Sequence, residues 1–127
     1  MKPYYTVDIH TQLETLSPFA TTAGYELLEG NPQASIRFDR GAANTRHRLG
    51  IWRCTPGAFK CTEKGDELQV ILKGKLRVTE ENGNSHEFGP GDSFYSEKGE
   101  NVIWTILETV EKVFFTHDED LPGPGVG

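Results

Sequence analysis

From residue 49 onward the chain alternates apolar and polar residues in short runs, and each run stops at turn-forming residues. The breaks fall at Lys73-Gly74-Lys75, at Glu81-Asn82-Gly83-Asn84, at Gly89-Pro90-Gly91-Asp92 and at Lys98-Gly99-Glu100. Period-two alternation bounded by such clusters predicts strands over 49–54, 58–62, 67–73, 75–79, 85–88, 93–96, 102–107 and 110–116. The first 46 residues are less regular. A short helical turn is expected over 11–16, stopped by Ser17-Pro18. The run 25–32 ends in a turn, 35–38 reads as a strand, and 39–45 as a loop. Short strands at this spacing predict an all-β, antiparallel barrel or sandwich.

Pro56-Gly57 suits the central positions of a type II turn. If Thr55 and Ala58 flank that turn, Cys54 faces Phe59 and Trp52 faces Cys61. Trp52, Cys54, Phe59, Cys61 and Glu63 then share one face. Cys54 and Cys61 become diagonal neighbours roughly 7–8 Å apart between Cα atoms, long for a disulfide, so two thiols are expected. Over 67–73 the alternation by itself puts Leu68, Val70 and Leu72 in the core and Glu67 outside. Val102, Trp104 and Ile106 share a face.

Composition narrows the class. A chain of 127 residues accommodates one domain. The net charge of -6, with no basic run interleaved with aromatics, argues against a nucleic-acid partner. The start lacks a signal-peptide core and no stretch approaches a membrane span, so a soluble cytoplasmic protein without a membrane partner is expected. Its two cysteines are then expected to stay reduced. No internal repeat is present. The Gly89–Asp92 turn lacks the following helix that a phosphate-cradling loop requires.

Two stretches resemble the cupin motifs. Glu67, with Gly74 seven residues later, matches the glutamate and glycine of the first motif. Gly91, Gly99 and Val102 match the glycines and the histidine position of the second. The chain is also similar to the small cupins grouped with ureidoglycine aminohydrolase, through Trp52-Arg53-Cys54-Thr55-Pro56-Gly57, Gly65-Asp66-Glu67, Gly89-Pro90-Gly91-Asp92 and Trp104. This resemblance covers about 28–119. It implies a cupin (double-stranded β-helix, jelly-roll) barrel core over 28–119, preceded by an arm over 1–27; the tail over 120–127, with nothing to bury and no strand or helix pattern, is expected to be mobile.

The chain departs from the metal-binding pattern of that family. The paired histidines of the first motif fall at Cys61 and Glu63, or at Lys60 and Thr62, and the later histidine at Val102. None of His10, His47, His86 or His117 occupies a motif position. His86 is expected to be exposed, and His47 to lie in a solvated loop. No cofactor is therefore expected; Cys61, Glu63 and Glu67 are the only candidates for a divalent metal.

The resemblance turns Glu67 into the barrel cavity, against the simple alternation, and makes it the candidate catalytic acid or base. Gln69 joins it. Trp52, Cys54, Phe59, Cys61, Tyr95 and Trp104 complete a candidate aromatic and acidic pocket for a small polar metabolite. The alternatives are a metal-dependent hydrolase or lyase of the ureidoglycine aminohydrolase type, and a non-catalytic dimeric scaffold. A homodimer is expected from the resemblance and from the weakly alternating Tyr4, Tyr5, Val7 and Ile9, which a partner's sheet edge would cover.

Overall fold

The computed structural model describes residues 3–4 and 12–123. Among these, nine strands form a curled antiparallel sheet: β1 (Glu14–Thr15), β2 (Tyr25–Gly30), β3 (Ala34–Arg40), β4 (His47–Cys54), β5 (Gly57–Thr62), β6 (Asp66–Glu80), β7 (Ser85–Phe88), β8 (Ser93–Ser96) and β9 (Asn101–His117). The fold is all-β, as the alternation predicts. No helix among the described residues is long and apolar enough to cross a membrane.

Two long strands hold the barrel together. The second half of β9 lies between β4 and the first half of β6; its first half lies between β5 and the second half of β6. β8 and β7 pair with successive halves of the opposite β6 edge. The result is two facing layers: β1-β3-β4-β9-β6-β8, and β2-β5-β9-β6-β7. The bend between them falls where the β6–β9 register shifts repeatedly between Ile71 and Leu76, because an extra residue on one strand sharpens its local bend. Gly74 sits in that bend at φ +86°, and a Cβ there would lie 2.1 Å from the Thr109 carbonyl oxygen. Only glycine fits.

Several expectations change here. The paired runs 67–73 and 75–79, and 102–107 and 110–116, are each one continuous strand, bent rather than broken. β4 and β5 do not form a hairpin. Pro56-Gly57 is a corner between layers, and β4 and β5 pair with successive halves of one edge of β9. The helical turn lies at Phe19–Thr21, after Pro18 and not before it, while Glu14–Thr15 is extended. The run from Tyr25 is a strand. Phe19 belongs to the core and Tyr25 packs against it, so the expected arm contributes to the barrel from Phe19 on. Arg46 binds the carbonyls of Leu121 and Pro122, which fastens the start of the expected tail. Of the alternating Tyr4, Tyr5, Val7 and Ile9, only Tyr4 lies within the described residues; its hydroxyl donates to Asp39 at 2.5 Å.

The core lies at the bend. Cys54, Ile71, Leu76, Ile106 and Val110 are almost wholly excluded from solvent. Cys54 and Cys61 are both free thiols on strands that do not pair. Leu68, at 48 % exposure, lies on the outer face while Gln69 is fully buried. The inward set of β6 is therefore Glu67, Gln69 and Ile71, as the family resemblance implies, and not the apolar residues that the alternation favours.

Candidate functional site

At the end of the barrel away from the bend, the layers part around a cavity of about 390 Å³. One wall follows from the inward positions of β4 and β9, where Arg48 is opposite Thr116, Gly50 opposite Phe114 and Trp52 opposite Lys112. Gly50 leaves room for the crossing of β3: a Cβ there would lie 1.9 Å from the Arg37 carbonyl oxygen and 3.1 Å from the Phe114 ring. The other wall is aromatic. Trp104 stacks on Phe59 (6.3 Å, 4°), Phe59 on Phe19 (3.9 Å, 12°), and Tyr25 tilts against Phe19 at 5.2 Å. Exposed Leu16 and Ala43 stand at the rim.

Lys112 occupies the meeting point of the two walls. It is 5 % exposed. Its ammonium lies 4.6 Å from the Trp52 ring centre and 4.5 Å from that of Trp104. It donates to Gln69 Oε1 and, at 3.3 Å, to Glu67 Oε2. Glu67 Oε1 accepts from the Thr116 hydroxyl at 2.6 Å, and Gln69 donates to Ser96 Oγ at 3.2 Å. A lysine is tolerated this deep because the carboxylate, the amide oxygen and two indole faces together replace its hydration.

The second carboxyl group, Glu63, comes from the loop between β5 and β6. Its Oε1 accepts from Trp104 Nε1 at 3.1 Å and lies 4.0 Å from Cys61 Sγ. Burial, then the neighbouring Glu67 charge, pushes the Glu63 carboxyl above the ordinary carboxylate range. Burial pushes the Cys61 thiol up to about 12, with Glu63 adding to the effect. Burial likewise raises Cys54 to about 12 and holds the Tyr25 hydroxyl protonated. Neither thiol is a nucleophile at neutral pH.

The expected site residues divide accordingly. Trp52, Phe59, Cys61, Glu63, Glu67 and Trp104 line the cavity. Gln69 stands behind Lys112, fully buried, and reaches the cavity only through it. Cys54 is deep in the core beside Val110. Tyr95 is 59 % exposed on the outer face, because Phe94 takes the inward position opposite Gln69. His86 is exposed beside Glu80 at 2.9 Å. His47 is not in a loop: it lies in β4, stacked near His117 and Phe115.

Lys112, Arg48 and Thr116 are cavity residues that the sequence reading missed. The available signal was Lys112 itself, a charge in the middle of the inward set Val110, Phe114 and Thr116.

A metal at the family's position is a poor fit. Among the described residues no group of three His, Cys, Asp or Glu side chains is placed to hold one. The donor set explains why. Glu67 is already engaged by an ammonium and a hydroxyl, Glu63 resists ionisation, and the Cys61 thiol holds its proton. A metal would have to displace Lys112, and ligands must be deprotonated to bind it.

No curated protein matches the chain. The barrel is similar to the solved EutQ protein of Clostridium difficile, at 16 % identity and a TM-score of 0.62, over 70 % of this chain and 71 % of that one. It is also similar to a putative ethanolamine utilization protein from Salmonella typhimurium (19 %, 0.58, 66 % and 68 %). A DUF861-family protein of unknown function from Pseudomonas syringae aligns at 24 % identity and a TM-score of 0.70, over 83 % of this chain, which spans 44 % of that one. These likenesses establish the fold. The EutQ-like cupin domain family matches residues 41–114, a span that includes Arg48, Trp52, Glu67, Trp104 and Lys112, and the chain belongs to that family.

Proposed function

We propose that this protein binds a small polar organic molecule in the barrel cavity, with Lys112 standing where a metal-dependent cupin carries its cation. The observation that carries this reading is the buried ammonium wedged between Trp52 and Trp104 and satisfied by Glu67 and Gln69. It places a buried ammonium, paired with Glu67, at the cavity floor without a metal ligand set. The cavity is at the small end of the range for small-molecule sites, and its aromatic walls with few polar groups match such sites. Within the family, the Trp52–Gly57 and Gly65–Glu67 runs favour kinship with the ureidoglycine aminohydrolase-like cupins.

Any proton transfer falls to Glu63 rather than Glu67. Glu67 is held on both oxygens, whereas Glu63 has one oxygen on Trp104 and lines the cavity with a carboxyl that burial raises above its usual range. Raising a carboxyl group's pKa moves it toward the range in which general acid–base work is efficient.

The test uses the protein's own reporters, since its two tryptophans both line the cavity. A fragment library is screened by tryptophan fluorescence, with and without a chelator. Binders that perturb the emission equally in both conditions support the reading. A library without binders, or binding that requires an added divalent metal, overturns it.

A further inference from the structure

The polar groups around the cavity differ in how much hydrogen-bonding capacity the protein itself uses. Lys112 and Glu67 satisfy each other, Gln69 and Thr116. Thr22 donates to the Ser17 and Pro18 carbonyls, and Thr62 to Asn101. Arg48 stands apart. It lines the cavity at only 9 % exposure. Its Nη1 donates to the carbonyls of Ala43 and Thr45, at 3.2 and 3.1 Å. Among the described residues nothing accepts a hydrogen bond from its Nε or Nη2, and no carboxylate lies within ion-pair distance of it. Asp118 feels the Arg48 charge, but it is held below its usual range first by Lys98, from which it takes its hydrogen bond at 2.5 Å.

Charge points the same way. Of the charged groups lining the cavity, Lys112 and Glu67 pair with each other, and Glu63 is turned toward Trp104. Lys64 sits over the Tyr25 ring at 5.4 Å. Arg48 is the buried cation of the cavity wall that no carboxylate among the described residues pairs at ion-pair distance. Guanidinium presents the Nε and Nη2 hydrogens as a parallel pair that matches the two oxygens of a carboxylate. The next inward positions on the same wall hold Phe38, Phe114 and Trp52.

Resting on the small-molecule reading above, we infer that the ligand is a small organic carboxylate, clamped through its two oxygens by the free edge of Arg48 with its apolar body against Phe114 and Trp52. Arg48 is thus a specificity-determining residue: it selects a monoanion over the neutral molecule of the same shape.

The experiment compares propionate, phenylacetate and N-acetylglycinate, each against its primary amide, by calorimetry at millimolar concentrations. At least one acid is expected to bind roughly tenfold or more tightly than its amide. Arg48→Gln is expected to bind acid and amide alike. Lys64→Gln, which removes the other uncompensated cation, is expected to keep the preference. Should Arg48→Gln fail to fold, the wild-type acid–amide comparison and the Lys64→Gln control still decide. Equal binding of acid and amide to the wild-type protein overturns the carboxylate clamp while leaving the pocket reading intact. A preference abolished by Lys64→Gln instead assigns the anion to the rim and also overturns it. Binding of neither acid nor amide overturns this inference and counts against the pocket reading with it.

Discussion

Replacing Lys112 with methionine keeps an unbranched side chain between Trp52 and Trp104 but removes the charge. Two acceptors then lose their donor, Glu67 Oε2 and Gln69 Oε1, in a region where Lys112 and Glu67 side chains are 6 % and 17 % exposed. Each hydrogen bond to a charged group contributes about 1.5–3 kcal/mol, and removing one partner of a buried pair costs about 3–5 kcal/mol in all. The single variant should therefore lose about 3–5 kcal/mol, a large share of the roughly 5–15 kcal/mol expected for a domain. Adding Glu67→Gln removes the stranded charge. The new amide still accepts from Thr116 and can donate to Gln69, so the double variant should recover at least about 2 kcal/mol relative to Lys112→Met alone. Urea unfolding of the wild type, both single variants and the double variant yields the coupling directly. A double variant no more stable than Lys112→Met would show that the pair does not act as one unit, and the account of the cavity floor would be wrong.

Glu63 predicts a pH effect of definite sign. Its folded pKa is raised, so the group opposes folding as pH climbs from the ordinary carboxylate range through the raised value. Glu63→Gln keeps an acceptor for Trp104 Nε1, and its melting temperature should gain on the wild type as pH rises from acid to neutral; parallel curves would refute this. Both thiols should resist a disulfide reagent in the native protein at neutral pH and both should react in urea, because burial raises each to about 12; reaction of either in the folded state counts against their placement. Exposed Leu68, Tyr95 and Phe115 form a cross-strand row beside β8, which among the described residues pairs only with β6, and pairing with a second copy would cover it. Tyr95→Glu should therefore lower the mass seen by light scattering from dimer to monomer, and a wild-type monomer at micromolar concentration would remove the basis for the row's role.

The strands were legible because alternation and turn residues are local signals, and 85–88 and 93–96 come out to the residue. What the local signal lacks is partner choice. Pro56-Gly57 carries the chemistry of a hairpin, yet β4 and β5 each pair with β9, far later in the chain, rather than with each other. The inward face of Trp52, Phe59 and Cys61 was still found, because side-chain parity does not depend on the neighbouring strand. For β6 the apolar alternation pointed the wrong way, since Leu68 covers an outer face and Glu67 is neutralised inside. Lys112 was passed over for the same reason, although its place between inward Val110 and Phe114 was a signal. A lysine in a strand reads as solvent-facing until the second indole, which arrives from the opposite layer, is in place.

The long strand shared by both layers also sets an order of events during synthesis. β4, β5 and β6 leave the ribosome before β9, so each waits with an unfilled edge until 101–117 arrives. Pairings this distant in sequence form slowly, and waiting edges invite association with other nascent chains. The β3–β4, β2–β5, β6–β7 and β6–β8 ladders need no residue of β9, but the closure of the barrel is postponed to one late step. That step also delivers Lys112 between the two tryptophans, so quenching of their emission during refolding would time the completion of the barrel itself.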